Sequence, residues 1–142
     1  MMEVRENHVL YAVYDSIDSI EQADEGRSLE GSIWYGNGSE PLQASLMNYH
    51  AGKEFKIHRH KLNSRQISHT QEALICIKGK AEVEVLNLTK EKLATIVLKP
   101  GDIVLLYRGY HGLNILHDNT VLYELKCGSF SSVEVDKEFL NG

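Results

Sequence analysis

Between its glycine and proline marks this chain holds only short runs of alternating and β-branched residues, and that pattern fits strands rather than helices. The marks include Gly31, Gly36, Gly52, Gly79, Pro100, Gly101, Gly109 and Gly128. The spacing predicts strands over 8–14, 32–35, 42–50, 54–60, 72–78, 81–87, 93–99, 102–107, 113–117 and 120–127. Lys90-Glu91-Lys92 is expected to cap a hairpin between 81–87 and 93–99, and 61–71 reads as a loop. Helix is confined to one or two short pieces. The best candidate lies between Asp15 and Leu29, where Ser16 and Ser19 can cap a turn.

So many short strands in 142 residues cannot lie in one open sheet without long exposed edges, so an all-β barrel or two-sheet jelly roll is expected. The length suits one domain over 1–142, with a single hydrophobic core. A composition of 42% hydrophobic and 25% charged residues is that of an ordinary globular protein.

The formal net charge of −5 offers no basic field to a phosphate backbone, so nucleic acid is not an expected partner. No apolar run approaches the roughly 20 residues that span a bilayer. The start, Met1 to Asn7, is too polar for a secretory signal, so no membrane partner and a cytoplasmic location are expected. Cys76 and Cys127 lie in apolar runs and read as reduced thiols rather than a disulfide or a cysteine zinc site. The 8–14 strand is expected to pair with a neighbour's sheet edge in a homodimer.

The chemistry gathers in three segments. In Phe55-Lys56-Ile57-His58-Arg59-His60 a strand's period of two points both imidazoles to one face, a chelating edge for a divalent metal. The pair alone is equally compatible with two solvent-facing histidines. Glu72 then heads the apolar run Ala73-Leu74-Ile75-Cys76-Ile77, where a carboxylate is costly to bury unless it is paired or coordinated. Finally, Pro100-Gly101-Asp102 leads through an apolar run to His111, which Gly109 and Gly112 bracket in an expected turn.

Together these residues resemble the cupin family. Gly52-x5-His58-x-His60 with Glu72-x6-Gly79 is similar to the first cupin motif, and Gly101 through His111 and Asn114 to the second. The resemblance implies a double-stranded β-helix barrel that holds one divalent transition metal (iron, manganese, nickel, cobalt or zinc) through His58, His60, Glu72 and His111. Three departures accompany it. Eleven residues separate His60 from Glu72, which could bring His69 rather than Glu72 to the metal. Tyr107 stands where the second motif usually has proline, and His111 follows Gly109 by one residue fewer.

Over roughly 45–140 the chain looks like small single-domain cupins of the WbuC type, on the strength of Thr70-Gln71-Glu72-Ala73-Leu74, Gly109-Tyr110-His111-Gly112, Tyr123 through Phe130, and Asp136-Lys137. The long loop before the glutamate is normal in those relatives. The resemblance implies a setting in surface-polysaccharide and nucleotide-sugar biosynthesis.

A metal with four such ligands keeps open positions for a small polar molecule, such as a sugar derivative. Glu124 and Lys126 alternate in the last strand and share a face. If that face is inward, Lys126 could bind an anionic group and Glu124 could act as base; the alternative is a solvated ion pair. Isomerisation or epimerisation is the expected reaction. Oxygen activation by Fe(II) and a non-catalytic ligand-binding module are the alternatives.

Overall fold

A computed structural model of the chain describes residues 1–18 and 31–140. The expected helix within Asp15–Leu29 lies, beyond residue 18, outside them. The strands are β1 (Met2–Glu6), β2 (Val9–Asp15), β3 (Gly31–Trp34), β4 (Ser45–Asn48), β5 (Glu72–Lys78), β6 (Ala81–Leu86), β7 (Lys92–Leu98), β8 (Ile103–Leu106), β9 (Tyr110–Ile115) and β10 (Val121–Lys126). A short helix, α1, covers Val133–Asp136. No helix among the described residues is long and apolar enough to cross a membrane.

The fold is mostly β and its pairings are antiparallel. A five-stranded sheet runs β1-β2-β8-β5-β10, a three-stranded sheet β7-β6-β9, and β3 and β4 form a separate hairpin. Strand alternation divides the core in two. One face of the large sheet carries Ala12, Leu74, Cys76, Val104 and Leu106, which pack with Val83, Val85, Ile96 and Leu98 of the small sheet. The opposite face carries Leu10, Val13, Ala73 and Leu105, covered by Tyr35, Tyr107 and the partly buried Leu42, Ala44 and Leu46. The large sheet is therefore packed on both faces, which explains why β5 and β8 read as almost continuous apolar runs.

Two strand expectations change. Residues 54–60 are exposed and form no strand. Their alternation is strand-like, but among the described residues no neighbour pairs with them, and a strand without a ladder leaves its backbone to water. Conversely, the polar start of the chain forms β1, held by its register with β2. As a result β2 lies between β1 and β8 and offers no free edge to a second molecule, contrary to the expected dimer contact through 8–14. Among the described residues the free edges belong to β1 and β10, to β7 and β9, and to β3 and β4 of the hairpin, and the sheets do not close into a barrel. Both cysteines are free thiols, Cys76 buried and Cys127 half-buried.

A buried polar knot ties the β4-side loop to the sheets. Glu40, only 7% exposed, accepts from Arg108 Nη2 at 2.9 and 3.0 Å and from Gln71 Nε2 at 2.6 Å. Arg108 Nη1 donates to the Leu10 carbonyl at 2.6 Å, and Gln71 Oε1 accepts from the Leu42 amide at 2.9 Å. Removing one partner of a buried pair strands the other charge. Arg108→Met should therefore lower the stability of the fold by about 3 kcal/mol in urea denaturation. The double variant Arg108→Met/Glu40→Met should recover most of that loss. Equal losses in the single and double variants would show that the pair carries no coupling.

Candidate functional site

The buried carboxylate at the head of β5 is the centre of the site. Glu72 is 6% exposed and is paired in register with Lys126 on β10 and Leu106 on β8. Its Oε1 lies 2.7 Å from Lys126 Nζ, and its Oε2 accepts from His111 Nε2 at 3.0 Å. His111 belongs to β9, in register with Val85 of β6. One carboxylate therefore links the two packed sheets.

Local backbone explains why these groups meet. His111 was expected on a glycine-flanked turn, but it is a strand residue, and the turn is made one step earlier by Gly109. Gly109 has φ +81°, and a Cβ there would run into the Leu86 carbonyl oxygen, so a larger residue would push β9 away from β6. On β10, Leu122, Glu124 and Lys126 share the face whose partners on β5 are Cys76, Leu74 and Glu72. Lys126 thus points to the inner side with Glu72, and its side chain is 24% exposed. Glu124 sits at the rim, 49% exposed and 3.5 Å from Lys126 Nζ.

Electrostatics favours the charged pair. The hydrogen bond from His111, reinforced by Lys126, outweighs burial and pulls the Glu72 carboxyl down to about 2. The hydrogen bond to Glu72 in turn raises the Lys126 ammonium above its ordinary value. At neutral pH Glu72 is thus a fixed anion, an acceptor or ligand rather than a base. Lys126 is already compensated on one side, so an incoming anion would compete with Glu72.

Beside the pair lies a cavity of about 490 Å³ whose wall includes His69, Glu72, Arg108, Tyr110, His111 and Lys137. The C-terminal segment closes one side of it. Thr70 Oγ1 donates to Asp136 Oδ1 at 2.7 Å, and Tyr110 Oη donates to Glu138 Oε1 at 2.7 Å. His69 lines the same cavity without replacing Glu72. Its Nε2 is 2.8 Å from the Tyr107 carbonyl, which can only accept, so that nitrogen carries the proton and is committed to the backbone.

The other two expected ligands lie elsewhere. His58 and His60 are exposed on the segment before the site, with ring centroids 5.5 Å apart at 75°. His58 Nδ1 donates to the Lys56 carbonyl at 2.8 Å, which leaves Nε2 with its lone pair outward. The structure therefore brings Glu72, His111, Lys126 and Glu124 together and leaves the histidine pair apart. Among the described residues, no three His, Cys, Asp or Glu side chains converge as a metal-holding group.

Sequence reasoning missed the cavity wall supplied by Tyr110, Lys137 and Glu138, and the buried role of Glu40 and Gln71. Gln71, Tyr110 and Lys137 lie within the stretches that resemble small cupins, but nothing local gives them these roles, because the groups they meet are distant along the chain.

The sign of the Glu72 shift sets a pH dependence. A carboxyl whose folded value is depressed contributes stability that is present above its ordinary value near 4.5 and is lost as pH falls toward about 2. In chelator-treated protein, the stability gap between wild type and Glu72→Gln should narrow by on the order of 3 kcal/mol as pH falls through that window. Parallel denaturation curves across it would show that the native fold does not hold the ionised form.

No family model, curated protein or solved structure matches the chain, so the functional reading rests on the side chains themselves.

Proposed function

We propose that the chain is a metal-binding cupin acting on a small polar molecule, of the sugar or nucleotide-sugar type, through proton transfer of the isomerase or epimerase kind. The observation that carries this reading is the buried, ionised Glu72 held against His111 across two sheets, beside a cavity of about 490 Å³. A buried carboxylate is costly, and a fold that needed only stability could place an apolar residue there. Its convergence with an imidazole in a concave site points to ligand chemistry.

The donor types fit a divalent transition metal, since imidazole nitrogen and carboxylate oxygen suit that class of ion. Glu72 and His111 are already together and would form half of the ligand set. His58 and His60 would complete it once their segment seats on the site, and Lys126 would then release one carboxylate oxygen. The bound ion would supply Lewis-acid polarisation of a substrate carbonyl or hydroxyl.

The protein's own groups do the rest. Lys137 stands in the cavity wall among Glu72, Asp136 and Glu138, where it can meet an anionic group of a polar substrate, while Arg108 is held by Glu40. Lys126, freed from Glu72, can bind a substrate oxygen, and Glu124 at its side is the available proton acceptor at the rim. A non-catalytic binding role is the second reading. In it the same side chains hold a polar ligand and Glu124 moves no proton.

Metal analysis of protein purified without added metal tests the reading. Wild type should retain about one equivalent of metal per chain, and Glu72→Ala and His111→Ala should each lose most of it. Stoichiometric metal retained by Glu72→Ala/His111→Ala would refute the assignment. Glu124→Gln should abolish turnover of an accepted sugar substrate while leaving metal content unchanged; full activity would remove Glu124 from the reaction.

A further inference from the structure

The C-terminal segment stands at the site without being packed into the body. The ladder between β10 and β5 ends with the Cys127 amide, which donates to the Gln71 carbonyl at 3.1 Å. Gly128 then turns the chain off the sheet with φ +85°, and a Cβ there would meet nothing closer than Ile67 at 3.9 Å, so the turn is unobstructed. Beyond it the backbone bonds are internal to α1, from the Asp136 amide to the Ser132 carbonyl and from the Lys137 amide to the Val133 carbonyl. Apolar burial does not hold the segment either. Val133, Val135 and Phe139 are 42%, 78% and 63% exposed, and α1 has no buried residue.

Among the described residues, two side-chain hydrogen bonds join residues 128–140 to the rest of the chain. Asp136 Oδ1 accepts from Thr70 Oγ1 and Glu138 Oε1 accepts from Tyr110 Oη, both at 2.7 Å. A segment with so little to break belongs to the low-stability end of a fold. The two acceptors are only two positions apart on the strap, whereas their donors lie far apart in sequence, one just before β5 and the other on β9. Loss of either bond leaves the strap held at a single point.

The strap also divides space. It gives Asp136, Lys137, Glu138 and Phe139 to the cavity beside Glu72 and His111. Its Val135 and Asp136 belong to a second cavity, of about 540 Å³, which reaches Ser129 and Cys127. The two cavities share His69, Thr70 and Asp136. His69 is tied to the Tyr107 carbonyl, and Thr70 is followed by Gln71, which Glu40 holds. Of the shared wall, therefore, Asp136 is the part that can leave.

We propose that residues 129–140 form a hinged gate. Turning about Gly128, the strap releases Thr70 and Tyr110 together and joins the two cavities into one groove leading to Glu72 and His111. Opening breaks two side-chain bonds and uncovers none of the core, so a ligand that favours one form shifts the balance between them. The motion stands on the hinge and the two latches. Only the use of the groove by a ligand rests on the reading of Glu72 and His111 as a site.

The chain carries its own probe. Cys127 is a half-buried free thiol in the second cavity, while Cys76 is buried in the core. Alkylation of Cys127 is followed on the intact protein with iodoacetamide and with the bulky 5-iodoacetamidofluorescein, and the ratio of the two rates cancels the thiol's own reactivity. Tyr110→Phe deletes a hydroxyl that belongs to the first cavity and not to the second. It should raise the bulky-to-small ratio at Cys127 on the order of tenfold, the worth of one side-chain hydrogen bond, and Thr70→Val should do the same. A ratio that Tyr110→Phe leaves unchanged overturns the gate.

Amide exchange read by mass spectrometry gives an independent measure. In Tyr110→Phe the Asp136 and Lys137 amides should exchange faster by a similar factor, with β5 and β8 unchanged. Acceleration confined to residues beyond Glu138 would overturn the proposal by showing a fraying chain end. Should Tyr110→Phe loosen β5 and β8 as well, Thr70→Val decides, read from Lys137 to Phe139, and unaltered exchange there overturns the proposal. Neither measurement involves metal. A gate that opens in a protein whose metal content ignores Glu72→Ala would stand while the metal site falls.

Discussion

Everything distinctive in this fold turns on the ionised carboxylate of Glu72, buried at the head of a strand. Burying that charge is unfavourable unless cations and donors surround it, and the chain supplies them from two sheets, Lys126 from β10 and His111 from β9. The two contacts fix where β9 and β10 stand relative to β5. They also leave a concave space beside the pair, bounded by Arg108 and the C-terminal segment. The site is thus a consequence of how the charge is accommodated between the sheets.

The same arrangement explains what is unfinished about the molecule. Cysteine, leucine and valine side chains close the core between the sheets on one side, at Cys76, Leu74, Val104 and Val83. Toward β9 the closure stops, and Leu113 and Ile115 stay half bare.

How far the sequence discloses this can be argued from particular elements. Strand β5 matches its expected span, and the β6–β7 hairpin forms around Lys90, whose φ of +70° makes the turn. These pairs are local, so alternation and turn residues determine them. The shared face of Glu124 and Lys126 was legible from period two, and register with Glu72 and Leu74 gave it a direction. The strand nature of His111 was not, because its two glycines imitate a turn and only the distant β6 makes it a strand. Segment 54–60 shows the converse: its alternation is real, but a strand also requires a neighbour, and no local pattern says which edge, or whose, provides it. The knot of Arg108, Glu40 and Gln71 was invisible for the same reason, its members lying 68 and 31 positions apart.

The most direct test of the account is the coordination shell of the bound ion. X-ray absorption on the cobalt-loaded protein should show a shell of nitrogen and oxygen donors with the outer scattering of three imidazoles in wild type, of two in His111→Ala, and of one in His58→Ala/His60→Ala. A shell without imidazole scattering, or one identical in wild type and His111→Ala, would contradict the claim that Glu72 and His111 form the seat of a metal site completed by His58 and His60.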